Sequence, residues 1–263
     1  MNQDCATVIN KGCIAITNHY LDGYAMKVTD AVVFVTGANR GLGLAIARQA
    51  RKQGVKKVYV AMRQVAGFQE EGLIPVQLDV NDEQSIQRAA QTCADTNILI
   101  NNAGIALLNT HPVDANIIDT THKILETNLF GMMRVTQIFS PILQQKQQGY
   151  VVNILSDVSW EPSTSLTGYA ISKAAAWSYT NSCRQWLSQF HIQVMGVHVG
   201  FIDTDLTRSL PLTKFSPEFV AEQIFEGIQQ NVYEVLIGER TQSLKQGLSD
   251  VVASYVKLKP DQI

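Results

Sequence analysis

A tyrosine and a lysine lie four residues apart in this sequence, at Tyr169 and Lys173. If the segment is helical, both side chains lie on one face, because residues i and i+4 are neighbours on a helix. A nearby ammonium group stabilises a phenolate, so Tyr169 would exchange protons closer to neutral pH than its reference pKa of about 10 allows. The pair predicts proton transfer to or from a substrate oxygen. Taken alone, this spacing is more common on solvated helix faces, so its interpretation depends on the rest of the chain.

The segment 36–43, which reads Thr-Gly-Ala-Asn-Arg-Gly-Leu-Gly, is the second candidate for chemistry. An apolar run precedes it and an amphipathic run follows it, so the sequence predicts a strand, a tight turn and the start of a helix. Residues without Cβ, here Gly37, Gly41 and Gly43, let a pyrophosphate approach the backbone N–H groups at a helix N-terminus. The G-x3-G-x-G spacing differs from the G-x-G-x-x-G dinucleotide fingerprint, although the physical requirement is the same. The segment therefore predicts a nucleotide-binding turn.

The composition indicates small-molecule chemistry. The chain has 263 residues, of which 46% are hydrophobic and 17% charged, and its formal net charge is −2. This length suits a single α/β domain, and the lack of long runs of like charge argues against a surface for nucleic acid or anionic lipid. No apolar stretch reaches the length of a membrane span. The four cysteines and five histidines are scattered, so we expect no metal ion, and free thiols in a reducing, cytoplasmic compartment.

The first 25 residues look like an appendage to the domain. They lack the charged start and continuous apolar core of a secretion signal, and Met26 stands just before the first predicted strand. We therefore expect residues 1–25 to be a disordered extension or an artefact of the assigned start site, with a partner-binding arm as the alternative. The predicted domain covers residues 26–263.

Strands and helices alternate along the rest of the chain. This alternation predicts an α/β fold, a doubly wound parallel β-sheet of the Rossmann-like kind with helices on both faces. Ligands of such sheets bind beyond the carboxyl ends of the strands, where the segments around Gly41, Asn102, Ser156 and Gly200 would converge. The predicted strands cover 31–35, 58–61, 76–80, 97–100, 150–155, 192–199 and 232–237, and the predicted helices cover 44–53, 85–93, 117–139, 169–189 and 217–229.

Together, these motifs make the chain resemble the short-chain dehydrogenases/reductases over roughly residues 29–240. Ser156 precedes Tyr169 by thirteen residues, the separation seen in that family. Six motifs follow the family order: the glycine turn at 36–43, Asp79, the Asn-Asn-Ala-Gly segment at 101–104, Asn128, Ser156, and the pair of Tyr169 and Lys173. The resemblance implies a single-domain oxidoreductase that transfers a hydride between a nicotinamide and a carbonyl or alcohol.

The resemblance also implies roles for four residues. Tyr169 would be the general acid in carbonyl reduction, or the base in alcohol oxidation, and Ser156 would hold and polarise the same substrate oxygen. Lys173 would bind the ribose hydroxyls of the nicotinamide half and lower the pKa of Tyr169. Asn128 would support a water that leads protons to the lysine. The hydride chemistry itself belongs to the cofactor.

Further implied contacts hold the cofactor along the carboxyl edge of the sheet. The glycine turn would bind the pyrophosphate, Asp79 and Val80 would meet the adenine, residues 102–104 would meet the adenosine ribose, and residues 200–204 would meet the carboxamide. The implied cofactor residues are Gly37, Asn39, Arg40, Gly41, Leu42, Gly43, Arg63, Asp79, Val80, Asn102, Ala103, Gly104, Tyr169, Lys173, Gly200, Ile202 and Thr204.

The charge at the end of the second predicted strand decides which cofactor we expect. In the family, an acidic residue at this place grips the ribose hydroxyls of NAD, whereas this chain has Met62 followed by Arg63. Arg40 lies inside the glycine turn. Two guanidinium groups without a nearby carboxylate favour a 2′-phosphate, to which each can form charge-assisted hydrogen bonds. We therefore predict NADP(H).

The sequence leaves the natural substrate open. Apolar residues in 205–216, together with Trp160, predict a partly apolar pocket for a small carbonyl or alcohol substrate, with Trp160 lining it. The favoured function is a carbonyl reductase or alcohol dehydrogenase. The alternatives are a reductase of carrier-bound 3-oxoacyl chains and a non-catalytic NADP-binding regulator or scaffold. The resemblance further implies a homodimer or homotetramer joined through the two long predicted helices.

Overall fold

Uninterrupted runs of buried residues form the middle of the sheet. The strands Val32–Thr36 and Ile192–Val199 are buried along their whole length, as expected of strands that carry helices on both faces. The computed structural model describes residues 6–10, 12–17, 26–205, 207–208 and 211–257. The strands in these residues are β1 (Ala6–Asn10), β2 (Cys13–Thr17), β3 (Val32–Thr36), β4 (Lys57–Met62), β5 (Ile74–Gln77), β6 (Ile98–Asn101), β7 (Gly149–Ile154), β8 (Ile192–Val199) and β9 (Val232–Ile237).

In the described part of the chain, these strands form one sheet in the order β1-β2-β9-β8-β7-β6-β3-β4-β5. The strands from β3 to β9 all pair in parallel. From β3 the chain winds outward through β4 to β5, and then from β6 in the opposite direction to β9. The carboxyl ends of β3 and β6 therefore flank a switch point of the winding, which is where ligands of open α/β sheets bind.

Helices cover both faces of this sheet. They are α1 (Gly41–Lys52), α2 (Glu83–Thr92), α3 (Ile117–Leu125), α4 (Met132–Lys146), α5 (Thr167–Leu187), α6 (Pro217–Gln229) and α7 (Glu239–Gln246), and a π-helical segment, Glu126–Gly131, joins α3 to α4. Apolar residues of α1 and α6 pack on one face, and those of α2, α4 and α5 pack on the other. The predicted doubly wound α/β fold is therefore confirmed. Among the described residues, no helix combines the length and apolar character that crossing a membrane requires.

The predicted element bounds agree best where the local signals are strongest. The predicted bounds of β8, β9 and α6 match the observed ones, and Ser216 caps α6 as expected, because its Oγ accepts a hydrogen bond from the Phe219 N–H at 3.2 Å. The strand predicted over 76–80 lies earlier in the chain, at Ile74–Gln77, and two helices differ most. The single helix predicted over 117–139 contains the π-helical segment and continues to Lys146, and α7 was missed because few of its residues are apolar.

The N-terminal residues add a hairpin to the edge of the sheet. β1 and β2 pair antiparallel, and β2 pairs antiparallel with β9. Cys13 is buried in the same core cluster as residues of β8 and β9. Residues 6–10 and 12–17 thus differ from the expected disordered extension. The reason is that an open edge strand, here β9, has unpaired N–H and C=O groups with which an extended segment can form hydrogen bonds. A start of translation at Met26 stays a prediction, and the other positions of 1–25 lie outside the described residues.

Candidate active site

Asn102 fastens the glycine turn to the neighbouring strand end at the switch point. Its Nδ2 donates to the carbonyl oxygens of Thr36 and Gly37, at 2.9 and 3.2 Å. A Cβ on Gly37 would lie 2.9 Å from the Cα of Ala103, and a Cβ on Gly43 would lie 2.4 Å from the Gly37 carbonyl oxygen. Both positions therefore require glycine. The turn after β3 and the segment after β6 lie against each other, as expected for two parts of one site.

Helix α1 begins at this turn with its first N–H groups free of a side-chain cap. The N-cap residue is Arg40, and its side chain makes no capping hydrogen bond. The first N–H groups of a helix lack intrahelical partners, and the helix dipole favours an anion beside them. Asn39 is exposed at this end and Leu42 is buried. The glycine cradle and the uncapped helix end fit a pyrophosphate group.

The other residues expected to contact the cofactor lie along the same edge of the sheet. Thr204 lies beside the turn, because a Cβ on Gly41 would be 3.3 Å from its Cγ2. Asp79 and Val80 follow β5, Ala103 and Gly104 follow β6, and Gly200 and Ile202 follow β8. The structure thus brings these segments to the carboxyl ends of the strands, and their individual contacts with a cofactor stay predictions.

The two arginines expected to bind a 2′-phosphate lie at the ends of neighbouring strands. β3 and β4 pair in parallel as far as Thr36 and Ala61, so Arg63, just after β4, lies on the same edge as Arg40. Both arginines are exposed. The expectation that no carboxylate lies near them was wrong for Arg40, whose Nη1 contacts Oδ2 of Asp205. The two residues are 165 positions apart, so only the fold brings them together.

Ser156 and Tyr169 meet at the end of β7. Ser156 follows this strand and is buried, while Tyr169 lies in the first turn of α5. The Tyr169 phenol is hydrogen-bonded to the Ser156 side chain, and the Val158 N–H donates to Ser156 Oγ at 3.4 Å. The two side chains that the resemblance directs at one substrate oxygen are therefore neighbours in the structure.

Burial controls the proton on Tyr169. It raises the pKa of the phenol well above the ordinary value, the negative charge of Asp157 raises it further, and the hydrogen bond with Ser156 opposes the rise. The expectation that this pKa lies below its ordinary value was wrong, because burial raises it, and a lowering effect of Lys173 stays a prediction. The Lys173 ammonium lies over the ring, with Nζ 5.6 Å from the ring centroid, and the burial of the phenol outweighs it. Tyr169 therefore holds its proton at neutral pH, the state that a general acid requires.

Lys173 is a buried cation tied to the neighbouring strand. Its side chain packs inside the protein, and its Nζ donates to the carbonyl oxygen of Ile154 at 2.7 Å. Burial lowers the pKa of Lys173 from 10.5 to about 8. The hydrogen bond joins α5 to the last residue of β7, directly before the segment that carries Ser156.

Asn128 lies in the π-helical segment between α3 and α4. Its Nδ2 donates to the Ile105 carbonyl at 2.9 Å and to Ser172 Oγ at 3.1 Å, and its Oδ1 accepts from the Ile105 N–H at 2.8 Å. Turns of π-helix are rare and are frequent at functional sites. Asn128 therefore joins the segment after β6 to Ser172 of α5, the residue directly before Lys173. Its support of a water stays a prediction.

Trp160 is packed in the interior, not in the pocket. Its ring stacks on His198 with centroids 4.1 Å apart and meets Trp177 edge-on at 5.9 Å. The Nζ of Lys245 lies 5.2 Å from its centroid. The expectation that Trp160 lines the substrate pocket was wrong, because the indole fills the space between α5, β8 and α7.

Sequence reasoning missed a group of charged residues beside Ser156. Asp157 is buried, and its Oδ1 accepts a hydrogen bond from Ser156 Oγ at 3.2 Å. Arg240 on α7 bonds to Asp157 at 3.2 Å and to Glu161 at 2.9 Å. A carboxylate directly after the predicted catalytic serine was a usable signal. The sequence contained no such signal for Arg240, because this residue lies 83 residues from Asp157 in a helix that the sequence did not predict.

The comparison with protein families agrees with this geometry. The model of the family described as short chain dehydrogenase matches residues 31–214. The chain therefore belongs to the short-chain dehydrogenase family, a class of oxidoreductases.

Individual relatives are similar over most of their length. An NADP-dependent 3-hydroxy acid dehydrogenase of Schizosaccharomyces pombe is 29% identical over 195 residues, which cover 69% of this chain and 75% of the relative. An uncharacterized oxidoreductase of Staphylococcus aureus is 27% identical over 80% of this chain and 97% of its own. The crystal structure of a short chain dehydrogenase from Burkholderia cenocepacia in complex with NADP matches with a TM-score of 0.81 at 29% identity, covering 86% of this chain and 95% of that one.

The buried Lys173 predicts a pH-dependent stability. Between its folded pKa of about 8 and its ordinary value of 10.5, the unfolded chain holds a proton that the folded chain has lost. Burial of Lys173 therefore costs its full free energy below pH 8, and this cost is relieved as the pH rises toward 10.5. Relative to Lys173→Met, the free energy of unfolding of the wild type should rise by up to about 3 kcal/mol over this range. Denaturant unfolding at pH 7, 8, 9 and 10 measures the difference, and parallel curves would contradict the assignment.

Proposed function

We propose that this protein is an NADP(H)-dependent oxidoreductase that reduces a carbonyl group, or oxidises the corresponding alcohol, through Ser156, Tyr169, Lys173 and Asn128. The observation that carries the proposal is the hydrogen-bonded pair of Ser156 and Tyr169, which lies at the same sheet edge as the glycine turn. Two proton-bearing oxygens at this place can hold a substrate oxygen beside a bound dinucleotide. A regulator that only binds a nucleotide has no need of this pair, so the non-catalytic alternative is disfavoured.

Each residue of the candidate site has its own role in the proposed reaction. Bound NADPH supplies the hydride to the carbonyl carbon. Tyr169 holds its proton at neutral pH because of its raised pKa, and it donates this proton to the substrate oxygen as negative charge develops there. Ser156 stabilises the same oxygen by a hydrogen bond. Lys173, with a pKa of about 8, is suited to replace the proton of Tyr169, with Asn128 supporting the water that supplies it.

Removal of the Tyr169 hydroxyl tests the proposed proton donor. Tyr169→Phe should lower kcat/KM for carbonyl reduction by at least about 100-fold, the usual contribution of a general acid. The measurement is the loss of NADPH absorbance with purified protein and a panel of aldehydes, ketones, quinones, 3-oxo acids and 3-oxoacyl thioesters. Tyr179→Phe removes the same atom from the same helix α5 and should leave the rate near that of the wild type. Full activity in Tyr169→Phe would exclude the phenol as the acid.

The same panel decides the substrate class. The Schizosaccharomyces pombe relative is an NADP-dependent 3-hydroxy acid dehydrogenase, which supports 3-oxo acids and 3-hydroxy acids as substrates here. Faster turnover of 3-oxoacyl thioesters than of the free acids would favour the carrier-bound alternative. Tight binding of NADPH without turnover of any member of the panel would favour the regulator.

Two features support NADP(H) over NAD(H). Arg40 and Arg63 lie at the ends of adjacent strands, and the crystal structure from Burkholderia cenocepacia that this chain resembles holds NADP. The ion pair of Arg40 with Asp205 is exposed, so it contributes little stability and leaves the guanidinium accessible to a phosphate. We therefore assign the 2′-phosphate to these two arginines.

Loss of both arginines should change the choice of cofactor. Arg40→Ala combined with Arg63→Ala should reduce the ratio of NADPH to NADH affinity by at least about tenfold, because charge-assisted hydrogen bonds to the 2′-phosphate are lost. Fluorescence titration with each cofactor measures both dissociation constants. Arg51→Ala removes a charge at the opposite end of α1 and is the matched control. An unchanged ratio of NADPH to NADH affinity in the double variant would show that another group binds the 2′-phosphate.

We also propose that the protein forms a homodimer or homotetramer through the helices α3 to α5. Ile118 and Ile171 are 65% and 46% exposed, and both line one shallow groove with Pro112, Ile117 and Leu125. Exposed apolar patches of this kind mark association surfaces. This surface is the one that the family resemblance implies.

A charge placed on that surface should separate the subunits. Ile118→Glu should shift the protein from an oligomer to a monomer in size-exclusion chromatography with light scattering, because a carboxylate would lose its hydration at the interface. Val251→Glu places the same group at an exposed apolar residue outside these helices and should leave the oligomer intact. A monomeric wild type, or an oligomer that survives Ile118→Glu, would contradict the proposed surface.

The extent of the domain and the cellular location stay predictions. Cys13, Cys93 and Cys183 are free thiols, which is compatible with the reducing, cytoplasmic compartment expected from the sequence.

A further inference from the structure

Asn109 connects the segment after β6 to the residues that begin helix α5. Its Nδ2 donates to the Thr164 carbonyl oxygen at 2.7 Å, and its Oδ1 accepts from the Thr167 N–H at 3.1 Å. Its backbone N–H donates to the Ser165 carbonyl oxygen at 3.0 Å. Asn109 lies 58 residues before Thr167, so these three hydrogen bonds join two segments that only the fold brings together.

The hydrogen bond to Thr167 caps the N-terminus of α5. Thr167 is the first residue of this helix, and the side chain of the N-cap residue, Leu166, makes no capping hydrogen bond. The first N–H groups of a helix have no partner within the helix, and a side-chain oxygen that accepts from one of them stabilises the first turn. Asn109 supplies this oxygen from outside the helix. The first turn of α5 is therefore stabilised by a residue of the segment after β6.

Tyr169 lies in the turn that Asn109 caps, because it is the third residue of α5. On its C-terminal side, the Tyr169 carbonyl oxygen accepts from Ser172 Oγ at 2.7 Å, and Lys173 donates to the Ile154 carbonyl. On its N-terminal side, Asn109 holds the residues that lead into the helix. The two sets of hydrogen bonds together fix the direction in which the phenol points.

The segment that carries Asn109 also contacts the expected cofactor site. Asn102, near its start, donates to two carbonyl oxygens of the glycine turn. Further along, the backbone N–H and C=O of Ile105 both bond to Asn128. One segment is thus bonded to the glycine turn near its start and to α5 at Asn109. It therefore links the position of the expected cofactor to the position of the proposed proton donor.

We propose that Asn109 is a positioning residue that fixes the first turn of α5 and thereby directs the Tyr169 phenol toward Ser156. The proposal rests on the proposed function, because it takes Tyr169 to be the proton donor. A proton donor must lie within about 2.6–3.2 Å of the atom that receives its proton. A loosened first turn therefore slows the reaction even while the rest of α5 stays folded.

Asn109→Ala removes both side-chain hydrogen bonds and should loosen the first turn of α5. Amide hydrogen exchange of the full chain, followed by mass spectrometry, compares the peptide over 164–172 with the peptide over 174–187 of the same helix. Exchange in the first peptide should become at least about fivefold faster, the size expected from the loss of a helix cap, and exchange in the second should be unchanged. Asn109→Asp keeps an oxygen that can accept from Thr167 and should restore part of the protection. This measurement requires no turnover.

The reduction assay tests whether Asn109 acts through Tyr169. Asn109→Ala should lower kcat by about tenfold, because a misplaced catalytic group loses productive geometry. KM and the dissociation constant of NADPH should stay within about twofold of the wild type. In the Tyr169→Phe background, the same substitution should change the residual kcat by less than about twofold, since substitutions that remove one shared interaction are not additive.

Asn116→Ala is the matched control. Asn116 is an exposed asparagine further along the same segment, and its side chain makes no capping hydrogen bond at the N-terminus of α3. Its replacement should leave both the exchange of α5 and kcat unchanged. Thermal unfolding of all variants confirms that they are folded.

The outcomes separate this inference from the proposed function. Unchanged exchange over 164–172 in Asn109→Ala, an unchanged kcat in an active enzyme, or an equal loss of kcat in the Tyr169→Phe background would overturn the role of Asn109. Faster exchange confined to the first turn, with a loss of kcat that requires Tyr169, supports it. If exchange becomes faster in a protein that reduces no carbonyl substrate, the proposed function fails and the anchoring of α5 by Asn109 stands.

Discussion

The hydrogen bond from Lys173 to the carbonyl of Ile154 is the interaction on which the candidate site depends. A buried ammonium group requires a partner, and this one ties helix α5 to the last residue of β7. Tyr169 lies one helical turn before Lys173, so the same bond fixes which side of α5 faces the end of β7. Ser156 follows that strand, and the phenol and the hydroxyl meet there. The burial that makes the bond necessary also moves both pKa values, lowering that of Lys173 and raising that of Tyr169.

Two asparagine side chains extend this arrangement across the sheet. Asn102 binds the carbonyls of the glycine turn, and Asn128 binds both polar atoms of the Ile105 backbone and the hydroxyl of Ser172. Each amide joins segments that follow or cover different strands. The ends of β3, β6 and β7 are therefore held in fixed relation by hydrogen bonds to side chains, beyond what strand pairing alone provides. Such support is what a site needs when it must place a cofactor and a proton donor on the same substrate carbon–oxygen bond.

Charged and aromatic side chains surround the segment that follows β7 and carries Ser156. Arg240 bonds to Asp157 and Glu161, and Lys245 bonds to Glu234 at 2.7 Å. Both cations come from α7, a short helix with few apolar residues of its own. The Arg240 side chain is 56% exposed and that of Lys245 is 23% exposed, so these ion pairs contribute little net stability, and their value here lies in orienting the segment after β7. Helix α7 is thus part of the support of the site.

The sequence by itself determined the fold class, the glycine turn after β3 and the order of the candidate site segments along the chain. These features depend on local patterns: apolar runs of strand length, glycines where backbones touch, and a tyrosine and a lysine one helical turn apart. The tertiary structure alone decided which groups lose water and which charges meet. It reversed the expected shift of the Tyr169 pKa, buried Trp160 against His198, paired Arg40 with Asp205, joined the N-terminal hairpin to β9, and set Arg240 beside Asp157. Desolvation and ion pairing depend on distances between residues far apart in the chain, and those distances exist only in the folded protein.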